Sequence, residues 1–201
     1  MDAKIGLIPQ CGFDSFILSL IIQIFAAAKN QIMKAKTAKE SLTIQTEIVL
    51  PNDTNVLGNL MGGRLLHWMD VCSAVAAHRH CGRVVVTASV NNVSFNQPIR
   101  LGDIVTIQAK VSRSFTSSME VFMEVWVERN ATGDKIKCNE AIYTFVAVDQ
   151  QGSPIAVPEL IAESEEEKKR FDGALRRKQL ALILAGKMKP ADATELKALF
   201  F

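Results

Sequence analysis

The sequence predicts an α+β fold in which a curved antiparallel sheet wraps around one central helix, with extra N- and C-terminal helices. Three observations support this prediction. Residues 62–80 form a helical segment with hydrophobic side chains on almost every face, so this helix is expected to be buried. Four segments with β-type patterns follow, and their short links favour an antiparallel meander. The concave face of a curved sheet would bury such a helix.

Each element has its own sequence signal. A run with β-branched residues at 43–49 stops before Pro51 and predicts the first strand. The central helix begins at the pair Gly62 and Gly63 and ends near Gly82. The strands that follow are set by valine-rich or alternating apolar and polar residues. Their predicted ranges are 84–95, 103–115, 119–128 and 137–149.

The C-terminal part is predicted to be helical. Ser164 and Glu167 have the form of a capping box, which starts a helix over residues 164–184. Residues 190–201 are expected to add a short amphipathic piece. The expected organisation is an N-terminal extension at 1–40, a main domain at 41–162 and a helical tail at 163–201.

The N-terminal extension contains an uncharged apolar run at residues 16–28. A transmembrane helix needs roughly 20 apolar residues, so this run is short for a membrane span. Three interpretations stay open: an accessory helix, the core of an export signal, or translation that begins at Met33.

Composition indicates a soluble globular protein, with 48% hydrophobic and 22% charged residues. The formal net charge of +2 favours neither a nucleic acid nor a membrane surface as partner. The cysteines form no CxxC pair and no close spacing with histidine, which argues against a metal site. We therefore expect reduced thiols, including a buried Cys72 in the helix, and a cytoplasmic location.

The segment 52–70 carries the strongest functional signal. A polar turn cluster leads into Gly62 and Gly63, and a helix start made of glycines leaves backbone N–H groups open to a ligand oxygen. Asp70 is the single carboxylate within the apolar helix that follows. A lone acid in such a place is costly unless it is used or well paired. Together these features predict a reaction site.

The motif P-x-D-x-N-x-x-G-x-x-x-G-G-x-x-x-x-x-M-D at residues 51–70 resembles the acyl-CoA thioesterase (acyl-CoA hydrolase) family, and the element order resembles a hotdog fold. The similarity covers about residues 42–172. It continues through Val86-Thr87-Ala88-Ser89 and Met119-Glu120-Val121. Met61 departs mildly from the family, which usually has an aromatic residue or histidine there.

The resemblance implies that Asn55 and Asp70 are the catalytic pair. It also implies that fatty acyl-CoA thioesters are hydrolysed to free acid and CoA, without a metal or other cofactor. Family members assemble as hotdog dimers, commonly three of them in a hexamer, so a trimer of dimers is expected.

The residues allow more than one role for each candidate. Gly62 and Gly63 would stabilise charge on the thioester carbonyl, or merely make a tight turn. Asp70 would act as general base or as nucleophile, or pair with His67 one turn away. Asn55 would orient water or polarise the carbonyl with its amide, or serve as a turn residue.

Distance favours a shared site. Gly63 and Asp70 lie seven residues apart, which is about 10 Å along a helix. A general base must come within about 3 Å of its water. Two antiparallel helices, one from each subunit, would place each Asp70 beside the other chain's glycines. The sequence therefore predicts a homodimer with two shared active sites around a twofold axis.

The phosphates of CoA need cations and hydroxyls on an exposed loop. Arg113, Thr116, Ser117 and Ser118 lie around one predicted turn and are the candidates, although Arg113 would also suit a solvated strand end. Two other functions compete with hydrolysis. A hydratase or dehydratase on the same fold would use His67 with Asp70, and a non-catalytic module would only bind acyl-CoA.

Overall fold

The computed structural model describes residues 33–91, 93 and 97–198. The apolar run at 16–28 lies outside these residues. The strands are β1 (Lys36–Thr37), β2 (Thr43–Ile48), β3 (Val84–Asn91), β4 (Ile104–Ser114), β5 (Ser118–Glu128), β6 (Lys135–Val148) and β7 (Leu160–Ile161). The helices are α1 (Gly62–Cys81), α2 (Glu165–Leu184) and a single turn, α3 (Thr194–Lys197).

The main sheet has five antiparallel strands in the order β2-β4-β5-β6-β3 and curls around α1, which contacts all five. Alternation along β5 decides which side chains face the helix. Every second residue from Met119 to Val127 is fully buried, as the period-2 pattern predicts. The predicted fold class is therefore confirmed. The predicted end of the 84–95 strand falls partly outside the described residues, and β3 ends at Asn91.

The prediction that α1 is buried on nearly every face is wrong for this chain alone. Gly63, His67, Val71 and Val75 follow one another at intervals of four residues and form an exposed stripe along the helix. Val71 is 42% exposed and Val75 is 38% exposed. The sheet covers only one side of α1, and this stripe faces away from it.

A second, smaller sheet was not predicted. β1 and β7 pair in parallel, with Lys36 opposite Leu160. The Nζ of Lys36 also donates to the Arg79 carbonyl near the end of α1, at 2.8 Å. The two strands have only two residues each and are far apart in sequence, so local periodicity gives no signal for them.

Helix α2 packs on the outer face of the main sheet. Its predicted capping box is confirmed. The Ser164 hydroxyl accepts a hydrogen bond from the Glu167 backbone N–H, and the Glu167 carboxylate accepts one from the Ser164 backbone N–H. Arg177 binds the buried Glu120 of β5 through two nitrogens, at 2.9 and 2.7 Å. Glu167 also pairs with Lys110 of β4 at 2.9 Å. A bidentate pair on a buried carboxylate fixes both the position and the rotation of α2.

Cys72, Cys81 and Cys138 are free thiols. Burial raises the pKa of Cys72 to about 11, so this thiol is inert at neutral pH, as expected for a packed cysteine. No cluster of histidine, cysteine or acidic side chains within the described ranges is suited to a metal ion. In the same part of the chain, no helix combines the length and apolarity that a membrane span needs.

His80 is expected to make the stability of the fold depend on pH. It is fully buried at the end of α1, and its Nε2 lies 2.9 Å from the Pro158 carbonyl oxygen, to which it donates when neutral. Its Nδ1 has no partner among the described residues. Burial lowers the pKa of His80 below its ordinary value, because the charged ring would lose its hydration.

We expect the stability supplied by neutral His80 to be complete above about pH 6.5, the unfolded value, and to be lost as pH falls through the lower folded pKa. Thermal unfolding midpoints measured between pH 7.5 and pH 5 should fall less steeply for His80→Gln, whose amide still donates to Pro158. His78→Gln, at an exposed histidine outside the stripe of α1, is the control and should keep the wild-type slope. An unchanged slope in His80→Gln would contradict this assignment.

Candidate active site

The loop before α1 holds Asn55 in a defined orientation. The Oδ1 of Asn55 accepts hydrogen bonds from the backbone N–H groups of Leu57 and Asn59, at 2.9 and 3.2 Å. These donors identify which end of the side chain is the oxygen. The Nδ2 group has no acceptor among the described residues and is free to donate. Asn55 is therefore both a turn residue and an available amide donor.

A buried carboxylate ties this loop to the start of α1. Asp53 is 4% exposed and pairs with the Nε of Arg64, at 2.6 Å. Its other oxygen accepts from the Leu50 N–H at 3.1 Å, and its backbone carbonyl accepts from the Met61 N–H at 2.9 Å. These contacts explain the aspartate of the motif, to which the sequence alone assigned no role. They fix the loop against the helix start.

The helix start itself is open. Met61 precedes α1 without a capping side chain, and the N–H groups of Gly62 and Gly63 have no acceptor among the described residues. A Cβ added at Gly63 would meet no described atom within 4 Å, and its φ is not positive. Among the described residues, nothing therefore requires glycine at position 63. Two free N–H groups at a helix N-terminus suit an oxyanion.

A cleft of about 420 Å³ lies at this helix start. It combines amide groups with an apolar floor, which suits a thioester and an acyl chain. Its lining is Asn55, Asn59, Leu60, Gly62, Leu65, Gln97, Pro98 and Ile99. Asp70 is not part of this lining.

Asp70 lies two turns further along α1, half buried beside β3. Its Oδ1 accepts a hydrogen bond from the Thr87 hydroxyl at 2.8 Å. The sheet register shifts directly after Thr87, and such an irregularity changes the direction of neighbouring side chains. Burial and, to a smaller degree, the charge of Asp70 raise the pKa of Tyr143 to about 12. Asp70 forms no ion pair with any described cation.

The described chain thus brings Asn55 together with Gly62 but keeps Asp70 apart from them, about 10 Å along the helix. The pairing of His67 with Asp70 is not formed, and His67 is exposed. The Nδ1 of His78 lies 2.8 Å from the Arg83 carbonyl oxygen, and His80 is fully buried in the core. No histidine among the described residues is placed to work with Asp70.

The CoA candidates lie at the turn between β4 and β5. The guanidinium of Arg113 donates to the Phe171 carbonyl at 2.9 Å and lies over the Phe171 ring, 4.1 Å from its centroid. Arg113 contacts α2 through these two interactions, so the alternative of a solvated charge at a strand end does not apply. Thr116 is exposed, and Ser117 and Ser118 are half buried. Their role in CoA binding stays a prediction.

Comparison with known proteins identifies the family. Residues 57–133 match the model of the Thioesterase superfamily. The uncharacterised acyl-CoA thioester hydrolase YkhA of Bacillus subtilis is 39% identical over 144 residues, which are 72% of this chain and 84% of that protein. The cytosolic acyl coenzyme A thioester hydrolase of Rattus norvegicus is 34% identical over 68% of this chain, but the match covers only 36% of the rat protein.

Solved structures share the fold. An acyl-CoA hydrolase from Bacillus cereus superposes with a TM-score of 0.72 at 34% identity, over 84% of this chain and 99% of its own. An apo-hexameric acyl-CoA thioesterase superposes with a TM-score of 0.73 at 36% identity, over 76% of this chain and 98% of its own. The Staphylococcus aureus acyl-CoA hydrolase was solved with butyryl coenzyme A and coenzyme A. It superposes with a TM-score of 0.69 at 34% identity, over 76% of this chain and 95% of its own.

The curled sheet around one helix, with open N–H groups at the helix start, is that of a hotdog-fold thioesterase. Within that class, the chain belongs to the acyl-CoA thioester hydrolase family. The resemblance stated from the 51–70 motif is confirmed.

Thr87 is the site residue that sequence reasoning missed. It lies in the Val86-Thr87-Ala88-Ser89 segment that carried part of the resemblance, but no role was assigned to it. The contact between Thr87 and Asp70 joins an edge strand to a helix, and single-sequence periodicity carries no information about such a pair.

Replacement of Gly63 by alanine should separate folding from function. The methyl group meets no described atom and favours a helix, so the thermal midpoint should stay equal or rise. A substrate carbonyl against the N–H groups would be displaced, and kcat/KM for an acyl-CoA should fall about 100-fold. The control is Met61→Leu, a volume-conserving change at an exposed neighbour. Full activity in Gly63→Ala would rule out this carbonyl site.

Proposed function

We propose that the protein hydrolyses fatty acyl-CoA thioesters to free acid and CoA at a site shared by two subunits of a homodimer. One observation carries the proposal. A single chain has Asn55 and the open helix start in one cleft, while its Asp70 lies about 10 Å further along α1. A second chain is needed to bring a carboxylate to the cleft.

Each group then has a defined task. The N–H groups of Gly62 and Gly63 hold the carbonyl oxygen and stabilise the charge that develops on it. The free Nδ2 of Asn55 donates to the same carbonyl or to the attacking water. The partner's Asp70 acts as general base or as nucleophile, and the Thr87 hydroxyl orients this carboxylate.

A solved relative supports this set of residues. Alanine variants of one asparagine, one aspartate and one threonine of the Staphylococcus aureus hydrolase have also been solved. In that protein the aspartate follows the asparagine by 15 residues and the threonine follows the aspartate by 17. Positions 55, 70 and 87 of this chain have the same two intervals and the same residue types.

Two exposed features support the assembly. The stripe of Gly63, His67, Val71 and Val75 is unusually apolar for a solvent-facing helix surface. Beside it, β3 is an edge strand with Val84, Val86 and Val90 exposed, and an unpaired apolar edge is a template for pairing. Edge-to-edge pairing of two β3 strands about a twofold axis would set the α1 helices side by side.

The positions of Gly63 and Asp70 along α1 are consistent with a twofold axis between the two helices. When α1 runs antiparallel to its partner and Gly63 lies opposite the partner's Asp70, the axis passes close to His67. Both shared sites then form at once, as an isologous contact requires. Hexameric relatives support a further association of three such dimers.

The competing functions have less support. A hydratase or dehydratase needs a histidine beside the acid, and no described histidine contacts Asp70. A binding-only module has no need of a half-buried carboxylate without a cation partner, since such a group costs free energy. A cytoplasmic enzyme of lipid metabolism agrees with the free cysteines and with the cytosolic relative in rat.

Subunit mixing tests the shared site. Asn55→Ala and Asp70→Ala should each reduce the release of free CoA thiol from palmitoyl-CoA by about 1,000-fold. Co-expression of the two variants with different tags should restore about a quarter of the wild-type activity, or about half for purified mixed dimers, because one of two sites is then intact.

The control is co-expression of Asp70→Ala with the double variant Asn55→Ala, Asp70→Ala, which leaves no intact site and should show no recovery. A mixture of single variants that stays inactive would place both groups in one chain. Hydration of an enoyl-CoA by the wild type, without thiol release, would instead support the hydratase.

A further inference from the structure

We propose that Tyr143 of β6 is a positioning residue for Asp70. Its hydroxyl contacts the turn of α1 that carries this carboxylate and places a second hydroxyl dipole beside it, in addition to that of Thr87. Tyr143 is the single tyrosine of the chain, and it lies outside the 51–70 motif. The inference rests on the proposed function, because it concerns the carboxylate that activates water or attacks the thioester.

Tyr143 is held in a fixed orientation on the inner face of the sheet. It is 1% exposed, and its ring stacks with that of Phe145, with the ring centroids 6.3 Å apart. In the register of the sheet, Phe145 lies opposite Thr87 of β3, the residue whose hydroxyl binds Asp70. Two adjacent strands therefore each direct one hydroxyl to the same part of α1.

The hydroxyl of Tyr143 reaches α1 one turn before Asp70. It donates to the backbone carbonyl oxygen of Leu66, at 3.4 Å. In an α-helix this carbonyl also accepts the N–H of the residue four positions later, which here is Asp70. Tyr143 thus contacts the same peptide oxygen that fixes the backbone of Asp70.

Packing alone does not explain this hydroxyl. The neighbouring inner-facing residues of β6 are apolar and buried, and phenylalanine would fill the same space as Tyr143; they are Ala141, Phe145 and Ala147. Burial of a hydroxyl costs free energy unless the group is well bonded. The bond of 3.4 Å is long for a hydroxyl donor, whose usual distance is about 2.7–2.8 Å, so it recovers little of that cost. A second interaction is needed to account for the hydroxyl.

The carboxylate of Asp70 supplies that interaction. It has no cation partner among the described residues, and Thr87 is the one described side chain that donates to it. Burial first and the charge of Asp70 second raise the pKa of Tyr143 to about 12. Near neutral pH, Tyr143 therefore stays a neutral hydroxyl group. A neutral hydroxyl dipole beside an anion stabilises it, whereas a phenolate would repel it.

This arrangement determines which part of the reaction depends on Tyr143. Thr87 bonds Oδ1 of Asp70, and Tyr143 contacts the backbone that carries the side chain. The Oδ2 atom of Asp70 has no donor in the described part of the chain and stays available to water or to the thioester. Loss of the Tyr143 hydroxyl should therefore affect the chemical step and not the binding of substrate.

Tyr143→Phe tests the inference, because it removes only the hydroxyl. We expect kcat for palmitoyl-CoA to fall about tenfold with KM unchanged, since the lost interaction acts on a charged group in the chemical step. The thermal midpoint should stay equal or rise, because a poorly bonded buried hydroxyl is removed. Thr144→Val removes the hydroxyl of the next residue, on the opposite face of β6, and as the matched control it should behave as the wild type.

A spectroscopic titration tests the interaction with Asp70 directly. Because the chain has one tyrosine, biosynthetic incorporation of 3-fluorotyrosine gives a single fluorine NMR signal, from a phenol more acidic than tyrosine itself. Its titration midpoint should be lower in Asp70→Asn than in the protein that keeps Asp70, since the negative charge opposes ionisation of the phenol. Glu140→Gln removes a carboxylate from the outer face of the same strand and should leave the midpoint unchanged.

Three results would overturn the inference: an unchanged kcat in folded Tyr143→Phe, a rise in KM in place of the fall in kcat, or a titration midpoint that Asp70→Asn does not lower. A loss of activity that only follows a lower thermal midpoint would show a structural role and would overturn it too. If the wild type hydrolysed no acyl-CoA, the proposed function would fail, and the fluorine titration would still decide whether the hydroxyl and the carboxylate interact.

Discussion

The rise of an α-helix, about 1.5 Å per residue, is the constraint on which the rest of this structure depends. The N–H groups proposed to bind the carbonyl oxygen are at the start of α1, and the carboxylate of Asp70 is two turns later on the same rigid element. No side-chain movement closes that gap, because Asp70 is also held from the sheet side by Thr87. Under the proposed function, association of two chains is therefore a part of catalysis.

This constraint accounts for features that look unfavourable in one chain. Gly63 is a glycine that no described residue of its own chain requires, and Val71 and Val75 expose apolar surface on the central helix. The edge strand β3 ends the sheet with valines directed to solvent. Each of these becomes understandable when a second copy covers the stripe and extends the sheet.

Much of the fold could be predicted because its signals are local. The alternation in β4 and β5, the glycines at the start of α1 and the capping box at Ser164 each act within a few residues. The β1–β7 pair and the contact of Thr87 with Asp70 depend on residues far apart in sequence, and they were missed. The exposed stripe was also misjudged, since hydrophobicity shows that a surface is to be covered but not by which chain.

In the proposed dimer, one active site contains residues of two chains. The most direct measurement is a crystal structure of the wild type with a CoA ketone analogue, in which a methylene group separates sulfur from the carbonyl and prevents hydrolysis. A shared site predicts that the carbonyl oxygen lies about 3 Å from the Gly63 N–H of one subunit and beside the partner's Asp70. A carbonyl contacted by Gly63 and Asp70 of the same chain, or by neither, would contradict it.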